Sequence, residues 1–383
     1  MSGNRWWWWL ALLTLGCGND VTTGGARDAG GSRPTADAGG TGDELALEAA
    51  SLVSDARGRF DVTGRGLDGQ DALASVAGHN AFWFAWSVFH PGSELFGTER
   101  GVREATIESS DECTVPCREV APACGGRDCI PALQSPTMVG ADDPSLSFLR
   151  DVDEVLGVIT PSGPRAYPHN ILWWHEIVNE EVDGEAFSVT FCPLTGSGLA
   201  FDRRRFVEGS TVELGVSGNL YNSNLVMYDR TSESFWSQMR LESISGTEIG
   251  TPSPILPVFE MTWGAWKALH PDTRVVSSDT GHSRDYTRYP YGDYRVNDTN
   301  TFRATNPPPD DLFDNKDMVF GVVVDGTLRG YAWDVLAETS GSPQGVVHDE
   351  VAGAPIVLVH DLRARYVHAF RRDADERFTL VAR

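Results

Sequence analysis

The sequence predicts an α+β fold, mainly antiparallel β, in one internally duplicated β-rich domain with short helices. Three observations carry that expectation. Runs of β-branched and aromatic residues, separated by D-G or G-T turns, dominate the chain from about residue 150. Two stretches repeat each other in order and spacing. With 383 residues, 41% of them apolar, the chain can bury the core of one large domain or two ordinary ones.

The N-terminal residues, MSGNRWWWWLALLTLGC, read as a lipoprotein signal peptide, residues 1–17. Arg5 is a short positive region, and Trp6 to Leu15 form an apolar stretch too short to span a bilayer. Thr14-Leu15-Gly16-Cys17 resembles a lipobox, which makes Cys17 the lipidated residue and the membrane the first partner. Gly18 is not the Asp that signals inner-membrane retention, so a cell-envelope location on the outer membrane is expected. Residues 18–44 are rich in Gly, Ala, Asp, Ser and Thr and have no aromatic residue. Such a segment cannot bury enough surface to offset its ordering entropy and reads as a disordered linker.

Residues 45–383 are expected to be the folded domain. Residues 45–100 read as helix then loop. The apolar run SVAGHNAFWFAWSVF, residues 75–89, reads as a buried helix or strand pair, with its tryptophans in the core. Cysteine-rich loops follow at 111–130. The repeat units span about 153–203 and 317–361, each read as hairpin, short helix, hairpin. Gly157 matches Gly321 and Tyr167 matches Tyr331, in both cases 164 residues apart. Between the units, 209–239 reads as two or three antiparallel strands. A short helix and a strand come next, then a tyrosine-rich loop at 282–294.

Formal charge is −23, which excludes a nucleic-acid partner needing a basic face. Of six cysteines, Cys113, Cys117, Cys124 and Cys129 crowd together. In an exported protein they read as two local disulfides of open pairing; their spacing lacks the paired knuckles of a zinc site. Cys192 is then left alone. It ends an apolar strand and precedes Pro193 and the loop Thr195-Gly196-Ser197-Gly198, whose amides form a candidate nest for a thiolate or an anion.

Several phrases together resemble a bacterial family known as domain of unknown function 3179. They include CIPAL, DEVLGV, AYPHNIL, WHEIVNEEVDG, VTFCPLTGSGLAFDR, GVSGNLYNSNLVMYDR, FWSQM and HPDTRVVSSDTGHSRDYTRYPYGDY, within residues 129–361. Members that look like selenoproteins, or that carry a second cysteine near the Cys-Pro pair, imply redox chemistry. Here the third residue after Cys192 is Thr195, so no resolving thiol is adjacent.

Three chemistries compete. In the first, Cys192 is a monothiol redox or thiol-transfer centre acting on a small-molecule or protein thiol. Thr195 and Ser197 would hydrogen-bond to it, and His175, His282 or Arg284 would lower its pKa. In the second, Cys192 joins His169, His175 or His282 as metal ligands; no other cofactor is expected. In the third, the protein is a non-catalytic ligand-binding or structural lipoprotein. Asn219, Asn222, Ser223, Asn224, Trp236 and Gln238 would then line a cleft with the loop tyrosines. Asp202 with Arg203, and Asp279 with Arg284, read as loop-bracing ion pairs. The motifs of P-loop hydrolases, dinucleotide-binding folds, serine-elbow hydrolases and zincin proteases are absent from the sequence.

Overall fold

Short hairpins set the architecture. In the computed structural model, which describes residues 46–382, Glu154–Thr160 pairs antiparallel with Gly163–Pro168, the two joined by Pro161-Ser162. The hairpin leads directly into the helix His169–His175, which ends where Glu176 takes φ 57°. A second hairpin follows: Ile177–Val182 pairs with Glu185–Cys192, which turns back into Ser197–Asp202. Met318–Val324, Thr327–Ala332, the helix Trp333–Ser340, Gln344–Val351, Ala354–Asp361 and Tyr366–Arg371 follow the same order.

A strand and short helix from elsewhere complete each region. Phe259–Thr262, leading into the helix Trp263–Leu269, pairs antiparallel with Glu154–Thr160. Gly78–Phe82, leading into the helix Trp83–Phe89, pairs antiparallel with Met318–Val324. Arg274–Val276 then runs parallel to Gly163–Pro168, and Glu94–Leu95 runs parallel to Thr327–Ala332. The apolar run at 75–89 is therefore neither helix nor strand pair alone: it is one strand followed by one helix, fully buried in both.

Two glycines make this packing possible. A Cβ on Gly157 would lie 2.1 Å from the ring of Trp266, and one on Gly321 would lie 1.8 Å from the ring of Trp86. Each indole packs directly against bare backbone. Its N–H donates to a hydroxyl in the next loop, Trp266 to Thr273 at 2.9 Å and Trp86 to Ser93 at 3.2 Å. Reciprocal backbone bonds tie the regions together: Phe82 N donates to the Thr195 carbonyl, and Thr262 N to the Ala364 carbonyl, both at 2.8 Å.

Leu214–Tyr221, Asn224–Asp229 and Phe235–Ser237 form the antiparallel strands expected between the units. The whole is mainly antiparallel β with four short α-helices among the described residues. None of those helices is long and apolar enough to cross a membrane. Disulfides join Cys113 to Cys117 and Cys124 to Cys129. The signal peptide, Cys17 and the linker at 18–44 lie outside the described residues.

Candidate functional site

Strand alternation dictates where the chemistry gathers. Leu156 lies opposite Glu260, and Glu154 opposite Thr262. Opposed residues share a face, and so do residues two apart, so Glu154 and Glu260 project from the same side as diagonal neighbours. The hairpin partner of Val155 is Pro168. The helix begins at the next residue, which sets His169 between the two carboxylates. Its Nδ1 is 3.7 Å from Glu154 and its Nε2 is 3.7 Å from Glu260, while its ring stacks on Phe191 at 4.0 Å. His169 is buried, and its Nε2 has no hydrogen-bond partner among the described residues.

The other half of the molecule closes this cluster. Arg365 takes φ 57° in the turn before Tyr366–Arg371 and reaches Glu154 at 2.5 Å. Asn80 donates to Glu260 at 3.1 Å and is itself held by the indole N–H of Trp333 at 3.3 Å. These contacts push the two carboxyls apart. Burial pushes Glu260 up to about 7, reinforced by the Glu154 charge. Burial opposes ionisation of Glu154 too, but the Arg365 guanidinium and His169 hold it far below the usual carboxylate range. One carboxylate is thus fixed as an anion and its neighbour is poised to exchange a proton near neutrality.

The cluster opens into a cavity of about 390 Å³, within the range of small-molecule sites. Trp173, Phe191, Tyr289, Phe82 and Met318 line it. Lys316 also lines it. Its Nζ is shielded from solvent without a hydrogen-bond partner among the described residues, 3.6 Å from the centre of the Tyr294 ring. Burial pushes this lysine down to about 7 against the pull of Asp298.

Cys192 faces the other way. Its strand neighbour Phe191 and the following Pro193 line the cavity, but its own side chain is fully buried in the opposite core. The thiol lies 3.7 Å from the Ser223 carbonyl, to which it donates. Burial, reinforced by Glu176, pushes it up to about 11, although Thr195 opposes the shift. The expectation of an activated thiolate is therefore corrected. The loop after Cys192 is a tight turn, with Thr195 N donating to the Cys192 carbonyl, not an open nest.

Of the two residues expected to hydrogen-bond to the thiol, Thr195 does reach it, while Ser197 does not, and both are tied into a separate network. They hydrogen-bond each other at 2.9 Å, and Asn224 and Gln238 complete a closed buried network with Thr190. His175 donates from Nδ1 to the Pro131 carbonyl and accepts from the Tyr286 hydroxyl, each at 2.8 Å. Burial pushes it down to about 4, so at neutral pH it carries no charge to stabilise a thiolate. The His282 ring lies beside it, tilted, at 5.1 Å, and Arg284 lies over Trp174. The three pin the tyrosine-rich loop to the helix at 169–175.

The polar residues expected to line a cleft also have structural partners. Asn222 and Ser223 bond the carbonyls of Asn306 and Thr301, the Asn219 amide bonds Ser217, and Trp236 donates to Asp229. Asp202 pairs with Arg204 and not Arg203, whose guanidinium caps the carbonyls of Val212 and Glu180. The Asp279 amide bonds Ser277, and no Asp279–Arg284 pair forms among the described residues. No group of three or more His, Cys, Asp and Glu among the described residues is placed to hold a metal ion.

A thiol so covered should not react in the native state. Thiol-directed reagents are expected to label Cys192 only at the rate of unfolding. Labelling within minutes in buffer at pH 8, followed by mass spectrometry, would reverse this assignment.

A family model described as "Protein of unknown function (DUF3179)" matches residues 127–382. No curated protein and no solved structure matches the chain. The family match leaves out Gly78–Phe82 and its helix, which supply Asn80 to the acid cluster and Phe82 to the cavity.

Proposed function

Because the chain belongs to the DUF3179 family of proteins of unknown function, we propose its role from its own residues: it is an exported, lipid-anchored protein that binds a small molecule in the cavity beside His169. One observation carries this reading. Three buried polar atoms without hydrogen-bond partners among the described residues, His169 Nε2, Lys316 Nζ and the Tyr289 hydroxyl, belong to side chains that line one aromatic-walled cavity. A buried polar group left unpaired costs about 1–3 kcal/mol, and a bound ligand can relieve that cost.

We also infer that the two regions descend from one duplicated unit. The support is their common strand order, the two Trp-over-Gly contacts and the reciprocal backbone bonds. In that reading Glu154, His169 and Glu260 correspond to Met318, Trp333 and Asn80. One half carries the titratable groups and the other carries uncharged counterparts, as expected where one copy has been specialised for binding. The lipid on Cys17 and the 18–44 linker would hold the domain at the envelope surface, on the outer membrane.

A fragment screen read by thermal shift tests the proposal. Val152 and Val296 line the mouth and are 69% and 68% exposed. The double variant Val152→Trp/Val296→Trp should close the mouth at little cost to folding. Fragments are expected to raise the melting midpoint of the natural chain and leave the closed variant unmoved. Equal responses from both chains, or none from either, would count against a binding cavity.

A further inference from the structure

We propose that the cavity takes the carboxylate of an amphipathic acid, its head group facing Lys316 and Arg295 and its apolar part against Trp173, Phe191 and Tyr289. This deepens the binding reading and rests on it. Three cationic side chains line the cavity, and they are held in two different ways. Arg365 is paired with Glu154, so its charge is already answered.

Lys316 and Arg295 are held by aromatic faces. Lys316 lies over Tyr294, Phe84 and Phe82, at 3.6, 4.7 and 4.8 Å from the ring centres. Arg295 lies over Tyr289 and Trp173, at 5.1 and 5.8 Å. A ring face steadies a cation without accepting its N–H donors in a strong hydrogen bond. The Arg295 donors stay available to a ligand at the exposed mouth, and the covered, unpaired Lys316 Nζ gains a partner where a head group reaches it. Tyr294, on which Lys316 rests, is the residue before Arg295, so one short stretch of chain supplies one cation and supports the other.

The balance of charge selects a single negative charge. Arg365 and Glu154 answer each other, so Arg295 and Lys316, the latter pushed down to about 7 by burial, are left to face Glu260, whose charge would repel a dianion more than a carboxylate. Burial keeps a proton on Glu260 up to about 7, which lowers that repulsion further. Apart from His169 and the Tyr289 hydroxyl the rest of the lining is apolar, and Val152 and Val296 stand exposed at the rim. Five large hydrophobic residues are notably exposed among those described, and two of them are at this rim. An apolar tail leaving the cavity would cover them.

Isothermal titration of the purified full chain with octanoate, octanol and octylamine tests the proposal. Octanoate is expected to bind at least about tenfold more tightly than the other two. Lys316→Met should remove that preference. Arg295→Met, at the exposed mouth, should weaken octanoate several-fold and carries the test should Lys316→Met fail to fold. Tighter binding of octanol or octylamine would overturn the carboxylate assignment and leave small-molecule binding intact. Octanoate binding that neither variant alters would overturn it as well. Silence from all three probes in the natural chain, where fragments do bind, would overturn this inference alone.

Discussion

Gly157→Ala is expected to destabilise the protein by roughly 3 kcal/mol or more, at or beyond the top of the usual range for overpacking because nothing nearby can yield. The new methyl would sit 2.1 Å from the Trp266 ring, well inside contact distance. Trp266 is fully buried and anchored through its N–H to Thr273. The helix at 263–269 would have to lift, and it is continuous with the strand that carries Glu260. The loss should therefore appear twice, as a lower denaturation midpoint and as weaker binding at the cavity. A double-mutant cycle with Trp266→Leu isolates the cause: the pair should lose less than the sum of the single changes. Additive losses would show that the glycine matters for another reason. Gly321→Ala against Trp86 should behave in the same way, since that methyl would lie 1.8 Å away.

Glu176→Gln is expected to stabilise the protein at alkaline pH and to change little at acid pH. Burial alone raises this carboxyl from the usual 4.5 to about 8. The folded chain therefore keeps a proton that the unfolded chain releases. Stability from this group is fully present below pH 4.5 and is lost as pH rises through about 8. The full loss is on the order of 3–5 kcal/mol, since each tenfold difference in proton affinity between the folded and unfolded chain is worth about 1.4 kcal/mol. Glutamine keeps the shape and removes the titration. The stability difference between variant and natural chain should grow from near zero at pH 4.5 to its maximum above pH 8. A difference independent of pH would mean that Glu176 is solvated or paired in solution. The same change should lower the Cys192 pKa somewhat, because the Glu176 charge is the second cause of its elevation.

Much of the fold was legible because it is written in short-range signals. The D-G turns, the β-branched runs and the strand pairs at 153–192 and 209–239 follow directly from local preference and alternation. The crowded cysteines form two local pairs, as an oxidising compartment predicts. The run at 75–89 was ambiguous because a strand and a helix buried on every side both read as unbroken apolar sequence.

The site was less legible, for a physical reason. A lone glutamate inside FEMTW or DEVLG looks like one charge on a solvated face. Only the register that brings Leu156 opposite Glu260 shows that both acids share an enclosed face. Asn80, Lys316 and Arg365 come from elements far away in the chain, so no spacing rule joins them to His169. His169 was visible only as a possible metal ligand. Cys192 drew attention for its isolation and its glycine-rich turn, but strand alternation turns its side chain away from the cavity that Phe191 lines. A lone glutamate on an otherwise apolar strand, repeated on a second strand, was the signal that could have been used.

The most direct test of the central claim is an electron-density map of crystals soaked with the fragment set. The account predicts fragment density between His169 and Lys316, with Cys192 covered and unmodified beneath its turn. Density that avoids this cavity, or a thiol-reactive fragment joined to Cys192 in the folded protein, would contradict it.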